Sequence, residues 1–180
     1  MKPLMRELIS AQSLALSPVM APVLAQAGLD GETPRWWGID WVEAADETYR
    51  PVAEGGRAAA IIGVWQDGGL LDLLATSLET RAMRRRKGLA SILGEENVDV
   101  SVQCRKPLEV LVDGVSWLAR GRKGVVILDW DQVSYWLADV PSFSSQTDEL
   151  ALRLKRLLDD GWHRPPPIFV PTAKERRDAA

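Results

Sequence analysis

The stretch Gly124-Val-Val-Ile-Leu-Asp-Trp130 decides how the rest of the chain is interpreted. Four apolar residues in a row, bounded by glycine and aspartate, are typical of a strand that is buried on both faces in the middle of a sheet. The segments around it predict a strand at residues 98–104, a helix at residues 107–120 and a second helix that opens at Asp131. Together these elements form a β-α-β-α unit around which one domain can fold.

The two segments before this strand differ in their hydrophobic period. In residues 98–104 apolar and polar side chains alternate, which is the pattern of a half-buried strand and predicts a packed thiol for Cys104. In residues 107–120 the apolar side chains recur at helical spacing. Gly114 lies inside this predicted helix and indicates close packing there, because glycine costs about 1 kcal/mol relative to alanine in a helix.

A β-hairpin is predicted at residues 57–76. Asp67-Gly68 lies between two apolar runs, and this pair favours a type I′ turn, which needs positive φ at both central residues. A two-residue turn there places Val64 opposite Leu71. Asp72 is then the single polar residue on its face, so we expect its carboxylate either to pair with a following arginine or to serve a catalytic role at an opening.

The run Arg81-Ala-Met-Arg-Arg-Arg-Lys87 places five positive charges within seven residues. This run fits a third strand or the end of a helix, of which we favour the strand, and residues 88–94 fit one or two helical turns. Its charges suit contacts with nucleic-acid phosphates or with an acidic protein partner, and they equally suit a solvated edge that blocks pairing with other strands. The residues that would bind are Arg81, Arg84, Arg85, Arg86 and Lys87.

These patterns predict an α+β fold in a single domain, with a small mixed sheet that is covered by helices. The sheet would combine the β-hairpin with a β-α-β unit and contain residues 57–76, 98–104 and 124–129. The helices would lie at residues 107–120, 131–138 and 147–160. The predicted organisation is an N-terminal helical segment at residues 1–30, an α+β core domain at residues 31–162, and a Pro-rich extended tail at residues 163–180 that is disordered at its end.

The N-terminal segment admits two interpretations, a cleaved signal sequence or two short amphipathic helices of which the second starts at Ser17-Pro18. Polar residues and two prolines interrupt its apolar run. We therefore expect helices, a cytoplasmic protein and no membrane partner. Trp36, Trp37 and Trp41 follow in a segment rich in loop residues, and they predict either a lid over the core or a surface for stacking bases or binding a partner.

Composition narrows the chemistry that the chain can perform. The 22 basic and 25 acidic residues give a net charge of −3, so binding to nucleic acid would need a local basic patch. Cys104 is the single cysteine and His163 the single histidine. An internal disulfide and a cysteine-based zinc site are therefore excluded, and a Ser-His-Asp triad would have to use His163.

Two stretches carry a resemblance. One is Asp67-Gly-Gly-Leu-Leu-Asp-Leu-Leu-Ala75 with the basic run and Gly88-Leu-Ala-Ser-Ile-Leu-Gly94 after it. The other comprises Pro107, Trp117-Leu118 and Gly121-Arg-Lys-Gly-Val-Val-Ile-Leu128. They resemble a group of small bacterial and prophage-type proteins whose function is uncharacterised. The resemblance implies a mobile-element setting near DNA-processing genes, and it implies no activity.

Two hypotheses of different class follow. The first is a non-catalytic accessory protein that binds nucleic acid through the basic run and needs no cofactor. The alternative is a metal-dependent phosphoryl-transfer enzyme, in which Asp129, Asp131 and Asp72 would hold Mg²⁺. Asp129 and Asp131 are similar to the paired aspartates of toprim domains, but the upstream glutamate of those domains has no counterpart here. We therefore expect Asp131 to cap a helix, and we favour the first hypothesis.

Overall fold

The computed structural model describes residues 3–29, 35–161 and 168–169. The chain forms two compact units, one made of Met1–Ala90 with Asp113–Arg122 and the other of Ser91–Val112 with Lys123–Ala180. The prediction placed residues 31–162 in one core domain, and the structure divides this range between the two units. The α+β class is confirmed, whereas the strands form a closed barrel and a separate sheet in place of one mixed sheet.

The helices are α1 (Pro3–Ala15), α2 (Ala21–Ala27), α3 (Glu96–Cys104), α4 (Gly114–Ala119), α5 (Ser134–Leu137) and α6 (Asp148–Gly161), with a 3₁₀ turn at Pro18–Met20. The strands of the first unit are β1 (Trp37–Ala45), β2 (Thr48–Pro51), β3 (Arg57–Gln66), β4 (Gly69–Ser77) and β5 (Met83–Arg85). Those of the second unit are β6 (Ile92–Leu93), β7 (Leu108–Leu111), β8 (Val125–Ile127), β9 (Phe143–Ser145) and β10 (Ile168–Phe169).

The first unit is a closed barrel with the strand order β1-β2-β5-β4-β3. Neighbouring strands are antiparallel except β2 and β5, which pair in parallel where Thr48 meets Arg85. Helix α1 packs on β1 so closely that a Cβ atom on Gly38 would overlap the backbone of Ala11 and Gln12. Side chains of α1 and of three strands, β2, β3 and β4, then share one core cluster: Leu8, Ala11, Tyr49, Ala59, Ile61, Leu73 and Ala75.

The predicted hairpin turn is confirmed, but the predicted register is wrong beyond its first two pairs. Asp67 and Gly68 both have positive φ, and Trp65 lies opposite Leu70. A β-bulge follows, so Val64 pairs with Asp72 and not with Leu71. Side chains in a strand alternate between its two faces. The extra residue in β4 therefore moves every later side chain of β4 to the face opposite the one that the predicted pairing with β3 gave it.

The helix predicted at residues 107–120 is wrong in its first half. Leu108–Leu111 form β7, and the helix starts only after Asp113, whose carboxylate accepts a hydrogen bond from the backbone N–H of Ser116 at 2.8 Å. That aspartate is a side-chain N-cap, which marks the true start of α4. The close packing expected at Gly114 is present, since a Cβ atom there would lie 2.6 Å from both Ile62 Cδ1 and Thr76 Oγ1.

The second unit is a five-stranded sheet with the order β10-β9-β7-β8-β6. β7, β8, β9 and β10 run parallel, and β6 is antiparallel to β8. All three residues of β8 are buried, as the opening stretch of the sequence predicts. The core beside the sheet consists of apolar side chains from the strands and helices of this unit: Ile92, Val98, Leu108, Val110, Val125, Ile127, Val133, Leu137, Val140, Phe143, Leu154 and Leu158.

Residues 98–104 are a helix and not the predicted strand. α3 buries Val98 and Ser101, three residues apart, while Val100 is 54% exposed. The alternation of apolar residues therefore does not describe which side chains face the core. Cys104, expected to be packed, is exposed at the end of this helix. Residues 88–94, expected to be helical, contain strand β6.

The remaining elements follow the predictions more closely. α6 occupies the predicted position, whereas α5 is only four residues long. The N-terminal segment contains the helices α1 and α2, as predicted, and Ser17 precedes a turn that starts with Pro18. Within the described ranges no single helix is long and apolar enough to cross a membrane, and only the pair α1 and α2, bent by 73°, meets those criteria together. The predicted tail lies outside the described residues apart from β10.

Candidate functional site

The basic run forms the last strand of the barrel. Arg81 has positive φ and its N–H donates to Ser77 O at 3.1 Å, which closes the turn between β4 and β5. Arg84 then lies opposite Ala75, and Arg85 opposite Leu74. The prediction of a strand at this run is confirmed for Met83–Arg85. Arg84 and Arg85 therefore point to opposite faces of the barrel wall.

Three arginines of the run are engaged within the first unit. Arg85 donates to the carbonyl oxygen of Ala90 at 2.8 Å, and Arg81 lies 3.9 Å from a carboxylate oxygen of Asp113. Arg86 donates through Nε to Glu7 Oε2 at 2.9 Å. These three side chains hold loops and α1 in place. The sequence analysis had assigned them to ligand binding, whereas in the structure they contact other parts of the protein.

The Arg86 contact belongs to a polar network beside the barrel core. The hydroxyl of Tyr49 donates to Glu7 Oε1 at 2.8 Å, and the guanidinium of Arg86 lies 5.8 Å from the centre of the Tyr49 ring. Burial raises the pKa of Tyr49 well above its ordinary value, and the negative charge of Glu7 raises it further. Sequence reasoning missed Glu7 and Tyr49, because 42 residues separate the two and neither belongs to a recognisable motif.

Asp72 is fully buried and its carboxylate binds backbone groups instead of an arginine. Oδ1 accepts from the N–H groups of Leu73 and Lys87 at 2.8 Å each. Oδ2 accepts from Leu89 at 2.8 Å and from Ala90 at 3.4 Å. The carboxylate thus fixes the loop that follows the basic run, and the expected ion pair with an arginine is not what satisfies it.

Arg84 and Lys87 are the charged residues of the run that are exposed as whole residues, whereas the side chain of Arg81 is 40% exposed beside Asp113. The guanidinium of Arg84 donates to the carbonyl oxygen of the neighbouring Met83 at 2.8 Å, a local contact that leaves it at the surface. Lys87 is held through its backbone N–H by Asp72, which fixes the position of its Cα. One cation on a strand and a second in the fixed loop that follows it can bind anionic groups at a defined place.

A groove of about 600 Å³ lies between α2 and the barrel. Trp41, a residue that is 40% exposed, lines it, and Arg57, Gln26 and Glu79 supply polar groups. Trp41 lies on β1 and pairs with Ala58 of β3. Arg57 is the residue that precedes Ala58 in β3. The sequence interpretation placed Trp41 in a loop, and it missed Arg57 because an isolated arginine has no motif.

The carboxylates of the alternative metal site are in different environments. Asp72 belongs to the first unit, and Asp129 and Asp131 belong to the second. Asp129 Oδ1 accepts from the N–H groups of Asp131 and Gln132 at 3.1 and 3.3 Å. Asp129 therefore holds the turn that precedes α5, whereas α5 itself begins after Val133 without a side-chain cap, so the helix cap expected from Asp131 is not present. The residues with described positions include no group of three or more His, Cys, Asp or Glu side chains that could hold a metal ion.

His163 lies outside the described residues. Comparison with protein-family models, with curated proteins and with solved structures finds no match to this chain.

Proposed function

We propose that the protein is a non-catalytic accessory protein that binds nucleic acid through Arg84 and Lys87 of the basic run. The observation that carries the proposal is the position of these two exposed cations, one on β5 and one in the loop after it, which Asp72 fixes through three backbone hydrogen bonds. Cations at a fixed backbone position can neutralise phosphates without contacting the bases. Such phosphate contacts are the usual source of non-specific affinity for nucleic acid.

The strand pairing of the barrel supports this proposal. Starting from β3, the antiparallel pairs are β3–β4, β4–β5, β3–β1 and β1–β2, and β5 pairs in parallel with β2. This is the pairing of an OB-fold barrel whose chain is entered at the fourth strand. OB-fold barrels bind oligonucleotides on their second and third strands, whose places β4 and β5 take here. A shared topology concerns architecture, so the function rests on the cations themselves.

The structure also narrows which part of β4 and β5 is accessible. Helix α4 packs against β4 through Gly114, whose neighbours are the side chains of Leu74 and Thr76. Arg84 lies opposite Ala75 and is exposed. The proposed contact surface is therefore the end of β5 and the turn after it. From the sequence resemblance, the setting we propose is the cytoplasm, in a phage-derived or DNA-processing context.

A binding titration tests the proposal. The native chain and Arg84→Ala/Lys87→Ala are titrated with single- and double-stranded DNA and RNA at two salt concentrations. We expect salt-dependent binding, and a salt slope that falls by about one for each of the two charges removed. The matched control is Lys155→Ala/Arg156→Ala, which removes two exposed charges from α6.

Binding that the first variant and the control weaken equally would contradict the assigned surface, because a general loss of charge would explain it. If no nucleic acid binds, an acidic protein partner is what remains of the binding hypothesis. Mg²⁺-dependent cleavage that is lost in Asp129→Asn would instead favour the phosphoryl-transfer alternative.

A further inference from the structure

Beyond the basic strand, the first unit contains a groove whose side chains combine an aromatic surface with charged and amide groups. It is lined by α2, by the facing ends of β1 and β3, and by residues after β4: Val23, Gln26, Ala27, Trp41, Gly56, Arg57, Ala58, Leu78 and Glu79. Its volume of about 600 Å³ suits a group the size of one nucleotide, since small-molecule sites span about 300–1,000 Å³.

Trp41 gives the groove its stacking surface. The residue is 40% exposed although it lies within a strand, and the strand fixes its backbone. Trp37, on the same face of β1 four residues earlier, is 1% exposed and belongs to the core. An indole that stays accessible beside a groove can stack on a planar heterocycle, which contributes a large part of the affinity in single-strand binding.

Arg57 supplies the positive charge. It is exposed at the first position of β3, and among the described residues no hydrogen bond or ion pair involves its side chain. Its pairing partner in β1 is Val42, the residue that follows Trp41. Neighbouring positions alternate, so the side chains of Arg57 and Trp41 leave the sheet on opposite faces, yet both residues line the groove, and the guanidinium is available there to an anion.

Glu79 and Gln26 line the same groove. A carboxylate disfavours a purely anionic ligand, so the occupant should also present N–H donors. Nucleobases present such donors in their exocyclic amino and ring N–H groups. The carboxylate of Glu79 and the amide oxygen of Gln26 can accept hydrogen bonds from them. An aliphatic anion or an acidic peptide would match Arg57 but would leave Trp41 without a stacking partner.

We propose that this groove holds one nucleotide of a single strand, with its base stacked on Trp41 and its phosphate bound by Arg57. The inference rests on the proposed function, because it concerns which form of nucleic acid the barrel prefers. Duplex DNA keeps its bases stacked inside and cannot offer one to Trp41. The protein should therefore bind single strands more tightly than duplexes of equal length.

The test follows the indole N–H signals of the full chain labelled with ¹⁵N at its eight tryptophans. The Trp41 signal is identified as the one that disappears in Trp41→Phe. On titration with a short single-stranded oligonucleotide we expect this signal to move, and Trp41→Leu to weaken binding about 5- to 100-fold, the range of base stacking on an aromatic residue. Trp41→Phe should stay within a few fold of the native affinity because phenylalanine also stacks.

The matched control is Trp36→Leu. Trp36 is 41% exposed and packs edge-on against Trp65 with ring centres 5.2 Å apart, but it does not line the groove. The Trp36→Leu variant should bind the oligonucleotide with the affinity of the native chain. Arg57→Gln, an exposed position that does not affect the core, should weaken binding about tenfold and reduce the salt slope by about one.

The outcomes separate this inference from the proposed function. If binding is lost in Arg84→Ala/Lys87→Ala but unchanged in Trp41→Leu and Arg57→Gln, with the Trp41 signal unmoved, the groove proposal is wrong and the basic strand remains. If no oligonucleotide binds at all, both are wrong. A Trp41 signal that moves with a free mononucleotide but not with the oligonucleotide would overturn the single-strand occupant.

Discussion

The hydroxyl of Tyr49 on β2 donates a hydrogen bond to the carboxylate of Glu7 on α1 at 2.8 Å. The other oxygen of that carboxylate accepts from Arg86 at 2.9 Å, directly after the strand that carries the basic run. One side chain of α1 thus connects to two segments of the barrel. The ordering of Arg86 by this network is the reason why it does not belong to the proposed binding surface.

The first prediction concerns the coupling between Glu7 and Tyr49. Tyr49→Phe and Glu7→Gln should each lower the free energy of unfolding by about 2 kcal/mol, because the first removes a hydrogen bond to a carboxylate and the second removes the charge and one of the two acceptor oxygens. The double variant should lose less than the sum, with a coupling energy of about 1 kcal/mol. Urea unfolding of the four proteins measures it. Strict additivity would show that the two side chains do not interact.

The second prediction is a loss of stability at alkaline pH. The pKa of Tyr49 is raised in the folded state, first by burial and then by Glu7, so the folded protein favours the neutral phenol. Its stabilising contribution is complete below the unfolded-state pKa of about 10 and declines as the pH rises above that value.

Urea midpoints at pH 8 and pH 11 test this prediction. The native chain should lose more stability between the two than Tyr49→Phe does. Tyr135→Phe, a change at a side chain that is 81% exposed, serves as the control and should follow the native chain. An identical loss in all three proteins would contradict the assignment.

The third prediction concerns the loop that Asp72 holds. Asp72→Asn keeps the shape but turns an amide donor toward two of the four N–H groups, so we expect a loss of about 2–4 kcal/mol in the free energy of unfolding. Amide hydrogen exchange should increase at residues 87, 89 and 90, whose N–H groups bind the carboxylate. Unchanged exchange at these three amides would be inconsistent with the geometry described.

The fourth prediction concerns the contact of α1 with β1. Gly38→Ala places a methyl group into the backbone of Ala11 and Gln12, which cannot move aside as a flexible side chain would. We expect a loss of about 3 kcal/mol, at the upper end of overpacking effects. Gly69→Ala is the matched control, since the nearest atom to its added Cβ is Gln66 O at 3.6 Å. Equal stability of the two variants would place α1 further from β1 than the structure has it.

Strong local signals in the sequence predicted several elements correctly. The turn at Asp67-Gly68 depends on two residues that accept positive φ, and the burial of Val125–Ile127 depends on a continuous apolar run. The basic run was recognised as a strand, and α6 was recognised from its amphipathic period. Each of these depends on neighbours within a few residues, so sequence alone contains the information.

Short segments with a mixed period could not be assigned in this way. Apolar and polar residues alternate in residues 98–104 as they would in a strand. The segment is nevertheless part of helix α3, which buries Val98 and Ser101, three residues apart. Residues 108–111 contributed to a helical stripe, yet they form β7 because pairing with β8 and β9 satisfies their backbone groups. Short apolar segments are compatible with both periods, and the partner strands decide between them.

What the sequence determined by itself was the turn chemistry, the apolar strand β8, the amphipathic α6 and the presence of a cluster of cations. Only the tertiary structure decided that β1–β5 close into a barrel, that a bulge shifts Val64 opposite Asp72, and that Arg86 is paired with Glu7 while Arg84 and Lys87 remain exposed. The physical reason is the distance along the chain. Turns and caps are set by adjacent residues, whereas Glu7 and Arg86 are 79 residues apart and meet only when the barrel and α1 have packed together.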